Sequence, residues 1–289
     1  MNSNRQKVSF DSLGETLAGV LFLPPGTDQA PAIIVCHGAG EYKENYFEMC
    51  ERLCEKGVAT LAIDMHGHGE SGGERFYVDM PQWVADVRAA VEFLSVHPRV
   101  DAGRIGAFGL SSGGTAILEC ALVEPRLKAL VTLDATVRTS MPWAAALVLK
   151  GLVQLGRLKR AVTSKDLRLS LLKFLESVQM AADPEVERQL RSSPLSTAAF
   201  RAFPFPGGAH SFFVNTIERV SNITIPTLVL WGEEDQLDSP ETAHLLYNAL
   251  MCKKSLHIIP GNGHVGHLDR NRDQVFALTA DWALENLAP

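Results

Sequence analysis

The sequence predicts an α/β fold: a mostly parallel central sheet flanked by helices, with an inserted helical cap over the strand ends. Three observations carry this. Short continuous apolar runs at residues 32–36, 58–63, 105–110, 127–133 and 227–231 read as strands buried on both faces. Segments of helical periodicity separate most of them, and that alternation belongs to a parallel sheet covered on both sides. Between residues 135 and 222 the alternation stops and only helical patterns continue.

The elements follow in order. Residues 8–10 and 17–23 read as two antiparallel strands around a turn at Ser12-Leu13-Gly14, and Pro24-Pro25-Gly26 ends them. Residues 32–36 form the first buried parallel strand and run into His37-Gly38-Ala39-Gly40. Residues 46–56 have helical spacing, with Gly57 as the stop. The strand at 58–63 leads into Asp64-Met65-His66-Gly67-His68-Gly69. Asp79 caps the next helix, Pro81 sits in its first turn, and Val84, Val87, Val91 and Leu94 share one face. Strand 105–110, helix 112–122 and strand 127–133 follow. After the insertion come strands at 227–231 and 256–259, then helices at 240–250 and 273–287. The expected division is a core of residues 1–134 and 223–289 and a helical cap of 135–222. Within the cap, residues 141–155 are strongly apolar, 167–178 amphipathic, Asp183-Pro184 opens a short helix, and 200–213 are rich in Phe, Pro and Gly. No strand is expected there.

Composition narrows the class. The chain has 289 residues, enough for a large core, and folds of this type and size are often single domains. Hydrophobic content of 46% against 21% charged describes a globular rather than a disordered chain. A net charge of −6 argues against a general nucleic-acid binder and supplies no polybasic membrane anchor. The five cysteines are odd in number and contain no C-x-x-C pair, which points to reduced thiols and a cytoplasmic location. Residues 1–8 are polar and lack a signal core, and no apolar run reaches membrane-spanning length.

The chemistry gathers at strand ends. Gly109, Ser111 and Gly113 form G-x-S-x-G between a buried strand and a small-residue helix. A serine on so sharp a turn projects its hydroxyl above the sheet, and glycines two residues away relieve the crowding. The Ser112 N–H then lies at a helix N-terminus, where it can face a developing oxyanion. The triplet alone arises by chance in about one chain in ten of this length, so its partners matter. A serine nucleophile needs a base and an acid to orient it. Asp235 follows the strand ending at Trp231, and His264 follows the strand ending at Ile259. Glu233, Glu234 and Asp238 compete with Asp235, whose loop position suits the role. His267 competes with His264, which Gly261 and Gly263 place on a tight loop. The second oxyanion donor is expected at the Ala39 N–H, with His37 structural.

Two other patterns carry less. Gly67, Gly69 and Gly72 match G-x-G-x-x-G, but Gly73-Glu74-Arg75 does not open an apolar helix, so no nucleotide cofactor is expected. His66-x-His68 and His264-x-x-His267 lack a third ligand at suitable spacing, so no metal is expected either.

Together, H-G-A-G-E at 37–41, D-M-H-G-H-G-E-S-G-G-E-R at 64–75, G-L-S-S-G-G at 109–114, W-G-E-E-D at 231–235 and G-N-G-H at 261–264 resemble the α/β-hydrolase superfamily. The resemblance is to the monoacylglycerol lipase and serine aminopeptidase-like group, with bacterial cinnamoyl/feruloyl esterases close by. It implies Ser111 as nucleophile, Asp235 as acid, His264 as base, and an oxyanion hole of Ala39 and Ser112. The sequence departs from the lipases at Leu110, where they carry His, and at Asn45, where they carry Arg. The expected activity is ester hydrolysis on a small acyl or aryl ester, with amide, peptide or thioester cleavage by the same triad as the alternative. A non-catalytic ligand-binding protein of this fold would usually lack a triad member. Trp143, Leu147, Phe203, Phe205, Phe212 and Phe213 are the cap's candidates for an acyl pocket, beside Leu110.

Overall fold

The computed structural model of the protein describes residues 5–26, 28–139 and 141–288; the first four residues of the polar N-terminal stretch lie outside these. In chain order the elements are β1 (Arg5–Ser12), β2 (Glu15–Phe22), β3 (Ala30–Cys36), α1 (Phe47–Glu55), β4 (Ala59–Ile63), α2 (Met80–Ser95), β5 (Val100–Leu110), α3 (Ser112–Ala121) and β6 (Leu127–Leu133). The inserted region then contributes α4 (Trp143–Thr163), β7 (Leu167–Leu169), α5 (Leu172–Ser177), α6 (Pro184–Ser192), α7 (Ala198–Arg201) and β8 (Phe203–Phe205). The chain closes with β9 (Thr227–Gly232), α8 (Pro240–Ala249), β10 (Lys254–Ile259) and α9 (Arg272–Asn286).

The main sheet has eight strands in the order β1-β2-β4-β3-β5-β6-β9-β10. β1 and β2 form an antiparallel hairpin and β2 runs antiparallel to β4. Every pairing from β4 across to β10 is parallel. The strands are apolar throughout because helices cover both faces. Along β3, Ile34 and Cys36 join the cluster that packs α2, α3 and α8, while Ile33 and Val35 join the cluster that packs α1 and α9. Each such fully buried aliphatic side chain contributes about 1.5–3 kcal/mol.

The order in which successive strands are laid down reverses between β3 and β5, which themselves run parallel. From β3 the next strand, β4, lies on one side; β5 lies on the other. A crevice opens at such a switch point, outside the carboxyl ends of the two strands. The loop after β3 and the turn after β5 therefore meet there.

The inserted helical region contains two strands that the sequence pattern does not predict. β7 pairs antiparallel with β8 through Leu167–Phe205, Arg168–Pro204 and Leu169–Phe203. The amphipathic pattern of residues 167–178 predicts a helix; the segment divides into β7 and the short α5. Apolar runs this short do not distinguish strand from helix by periodicity. The ribbon exists because β8 finds β7 as a partner and α4 as a backing. Gly156 of α4 lets that helix approach β8 so closely that an added Cβ would lie 2.5 Å from the Phe205 carbonyl oxygen. Val153, Phe203, Phe205 and Ala209 form this region's own buried cluster.

Candidate active site

β5 ends at Leu110 and α3 starts at Ser112, so Ser111 alone makes the turn, at φ 50° and ψ −118°. A side chain rarely takes such a conformation, and holding it costs about 1–3 kcal/mol. The surroundings enforce it. Ser111 N–H donates to the Leu133 carbonyl at 3.0 Å, and its own carbonyl accepts from Thr115 N–H at 3.0 Å. A Cβ on Gly109 would lie 2.4 Å from the Gly113 oxygen, and one on Gly113 2.5 Å from the His37 oxygen. Both elbow glycines are thus required by close backbone approach. Leu110 is buried immediately before the turn.

The loop after β3 lies against the serine. A Cβ at Gly38 would sit 3.4 Å from Ser111 Cβ and 3.5 Å from Leu110 Cδ2. Buried polar groups fix this loop. The Glu41 carboxylate accepts from Gly38 N–H at 3.1 Å and from Tyr46 OH at 2.5 Å. His37 Nδ1 donates to the Gly38 carbonyl at 2.7 Å and its Nε2 accepts from Met65 N–H at 3.0 Å, the structural role expected for it. His68 Nε2 accepts from Gly40 N–H at 3.1 Å, and its Nδ1 donates to the His66 carbonyl at 2.9 Å. Burial, reinforced by His37, pushes the His68 pKa down to about 3, so His68 is a neutral buttress. His66 Nδ1 pairs with the buried Asp86. Among the described residues, neither Ala39 N–H nor Ser112 N–H donates to a protein acceptor.

The acid and imidazole candidates come from the ends of β9 and β10. Asp235 is buried, whereas its rivals Glu233 and Glu234 are exposed. Its Oδ2 accepts from His264 Nδ1 at 2.8 Å, and its Oδ1 accepts from the N–H groups of Leu237 (2.8 Å) and Asp238 (3.1 Å). His264 Nε2 makes no hydrogen bond among the described residues. Burial disfavours the imidazolium, yet the Asp235 charge and hydrogen bond, with Asp134 and Asp238 nearby, outweigh it and lift the pKa to about 10. His267 faces elsewhere. It stacks on Tyr46 at 4.1 Å and lies 3.5 Å from Glu41, and burial drives its pKa down to about 4.

The Ser111 hydroxyl is not hydrogen-bonded to His264. It pairs with Thr136 Oγ1 at 3.3 Å, and Thr136 in turn donates to Asp238 Oδ2 at 2.7 Å. Sequence reasoning missed Thr136, although it lies just past a strand end, the same signal that exposed Ser111. It also missed Asp134 at the end of β6. Asp134 is fully buried at φ 48°, accepts from Gly232 N–H at 2.7 Å through Oδ1, and leaves Oδ2 unpaired. Burial and the Asp235 charge push its carboxyl well above the ordinary range. A third omission is Asp269, whose carboxylate accepts from Gly263, Ala182, Asp183 and Arg270 N–H groups at 2.7–2.8 Å. It ties the His264 loop to the start of α6.

The cap residues separate. Phe205 is buried within the cap's own cluster; Phe212 packs half-buried on it, with its ring 5.7 Å from that of Phe203. Trp143 is 81% exposed on the outer face of α4, too open to line an enclosed pocket, because Val153 and Gly156 occupy the helix's inner face.

The strand order, and a strained serine turn at the switch point of the sheet, are those of the α/β-hydrolase superfamily. Within it, the chain belongs to the serine aminopeptidase S33 family, whose model matches residues 27–271. A monoacylglycerol lipase from Mycolicibacterium smegmatis is 22% identical over 294 residues, covering 99% of this chain and 100% of the lipase. Thiohydrolase aneE from Aspergillus aculeatus is 31% identical over 134 residues, 44% of this chain and 42% of its own. Among solved structures, hypothetical protein PA2218 from Pseudomonas aeruginosa superposes with a TM-score of 0.82 at 26% identity, covering 99% of this chain and 95% of that one. In sequence, the chain spans less than half the length of two curated relatives it matches, 36% of PA2218 and 45% of Escherichia coli YcjY.

Proposed function

We propose that the protein is a serine hydrolase that cleaves carboxylic esters through an acyl-enzyme. The observation that carries this is the buried Asp235–His264 pair, 2.8 Å apart, at the strand-end edge where Ser111 is held at φ 50°. In the proposed reaction the Ser111 hydroxyl turns from Thr136 toward His264 Nε2, a rotation between staggered side-chain wells. His264 takes the proton as Oγ attacks the carbonyl carbon. The unpaired N–H groups of Ala39 and Ser112 receive the oxyanion, each supplying about 3–4 kcal/mol. His264 returns the proton to the leaving alkoxide, then activates water to release the acid. Asp235 fixes the tautomer with the proton on Nδ1 and stabilises the imidazolium.

The substrate we assign is a small acyl or aryl ester, with Leu110, Phe205 and Phe212 as the apolar side chains for its acyl part. The core is residues 1–134 and 223–289, and 135–222 are the cap. The cysteines Cys36, Cys50, Cys54, Cys120 and Cys252 are all free thiols, which supports a reducing, cytoplasmic setting. No helix among the described residues is long and apolar enough to cross a membrane. The family description and the thiohydrolase relative favour a second reading, amide or thioester cleavage by the same residues.

One panel separates these readings: nitrophenyl esters of rising chain length, acyl thioesters, and aminoacyl amides, each with Ser111→Ala as control. Ester turnover that disappears in Ser111→Ala, with a fluorophosphonate adduct on Ser111, is the expected result. Undiminished turnover in Ser111→Ala would sink the mechanism.

A further inference from the structure

α4 is apolar on two opposite faces. Its inner face, with Val153 and Gly156, packs on the cap cluster. On its outer face Trp143, Leu147, Val148, Leu155, Leu158 and Val162 are each 52–81% exposed. At 3.6 residues per turn these six fall within an arc of about 140°, and the stripe runs for about 29 Å. Cations border it. Lys150 and Arg157 project along one margin and Lys159 along the other, all exposed. None of the residues of α4 is acidic, in a chain whose net charge is −6. The remaining cation, Arg160, is held by Glu74 and Asp166.

We propose that the outer face of α4 is a docking surface for a lipid bilayer bearing anionic headgroups. An interfacial helix has this form: an apolar stripe with Trp and Leu, and Lys and Arg at its margins; it is the polar and charged positions of α4, not its length, that hold it in the interface rather than across it. The geometry separates this occupant from others. The stripe is convex and unwalled, so a flat, deformable surface covers it, where a protein would need a matching groove. A second copy of the same helix would set cations against cations with no acid between them. With a net charge of −6 on the whole chain, a face that carries exposed cations and no acid is the one an anionic surface would attract. Docking is reversible, because it rests on one buried stripe and a few charges. The inference rests on the surface of α4 alone and is independent of the reaction proposed above.

Flotation with vesicles of phosphatidylcholine and phosphatidylglycerol in equal parts, against pure phosphatidylcholine, tests it. Trp83, Trp231 and Trp282 are buried, so a blue shift of tryptophan emission on adding vesicles reports Trp143. The expected result is flotation with the anionic vesicles that weakens in high salt, and a blue shift that Trp143→Phe removes. The triple variant Leu155→Ser, Leu158→Ser, Val162→Ser should bind on the order of tenfold more weakly with an unchanged melting temperature, since all three side chains face solvent. Lys150→Gln with Arg157→Gln and Lys159→Gln should erase the preference for anionic lipid. Two outcomes overturn the proposal: wild-type protein that stays with the aqueous fraction, whether or not it forms instead a dimer or an acidic-protein complex that the apolar variant abolishes, or a triple apolar variant that floats as well as wild type.

Discussion

Ser111 adopts φ 50° because β5 must end and α3 must begin with no residue to spare between them. That strain gives the position a signature separate from chemistry. Ser111→Gly removes the Cβ that the conformation disfavours, so it should raise stability by about 1 kcal/mol in urea unfolding while abolishing ester turnover. His264 offers a second test. Its pKa is raised to about 10, so the neutral base accumulates only as pH rises, and kcat/KM should climb into the alkaline range. Because the folded pKa exceeds the unfolded one, the proton on His264 stabilises the fold below the unfolded imidazole value. That contribution disappears as pH rises through about 10. Asp235→Asn should lower kcat about 10³–10⁴-fold and move the limb toward lower pH, read from the pH–rate profile. The strand-end positions of the candidates Ser111, Asp235 and His264 were legible, because each follows an apolar run. Thr136 carries the same strand-end signal, but nothing in its own segment singles it out: its importance lies in the 3.3 Å contact to Ser111 and the 2.7 Å bond to Asp238, more than a hundred residues away.

At the scale of elements, the loops after the strands are held by buried charge. Lys43 is almost wholly enclosed and donates to Asp64 at 2.7 Å and to Glu70 at 2.8 Å. Asp64 also accepts from Lys43 N–H and Glu70 N–H, and Gly69 gives it room. The segment that resembles a nucleotide fingerprint is thus packed as a brace behind the loop after β3. Lys43→Met leaves Asp64 buried without its cation and should cost about 3–5 kcal/mol in urea unfolding. Asp269→Ala strands four N–H donors at the joint between the His264 loop and α6. It should destabilise by at least about 3 kcal/mol, and reduce kcat more than KM is raised, because the imidazole loses its seat. The main strands were readable because burial on both faces leaves continuous apolar runs. β7 and β8 were not, since a three-residue strand is specified by its partner rather than by its own pattern.

Across the whole molecule, the packing is uneven. The sheet is packed on both faces by large clusters that run the length of the core. The inserted region has its own small cluster around Val153, Phe203 and Phe205. Local stability follows buried apolar contact, so amides of α4–α7 should exchange with solvent faster than those of β3–β6 in native-state hydrogen exchange. α7 packs its Ala199 within 3.1 Å of the Cβ position at Gly40, so opening there would uncover the loop beside Ser111.

The sequence by itself determined the layered α/β architecture, the order of the strands along the chain, and the strand ends at which the candidate residues fall. These depend on hydrophobic period and on glycine and proline punctuation, which are local properties of a chain. Only the tertiary structure decided which strand lies beside which, that Ser111 rests on Thr136 rather than on His264, and that Trp143 faces outward. Those outcomes depend on which distant side chains share a few ångströms, and neither burial nor charge pairing between remote segments leaves a periodic trace in sequence.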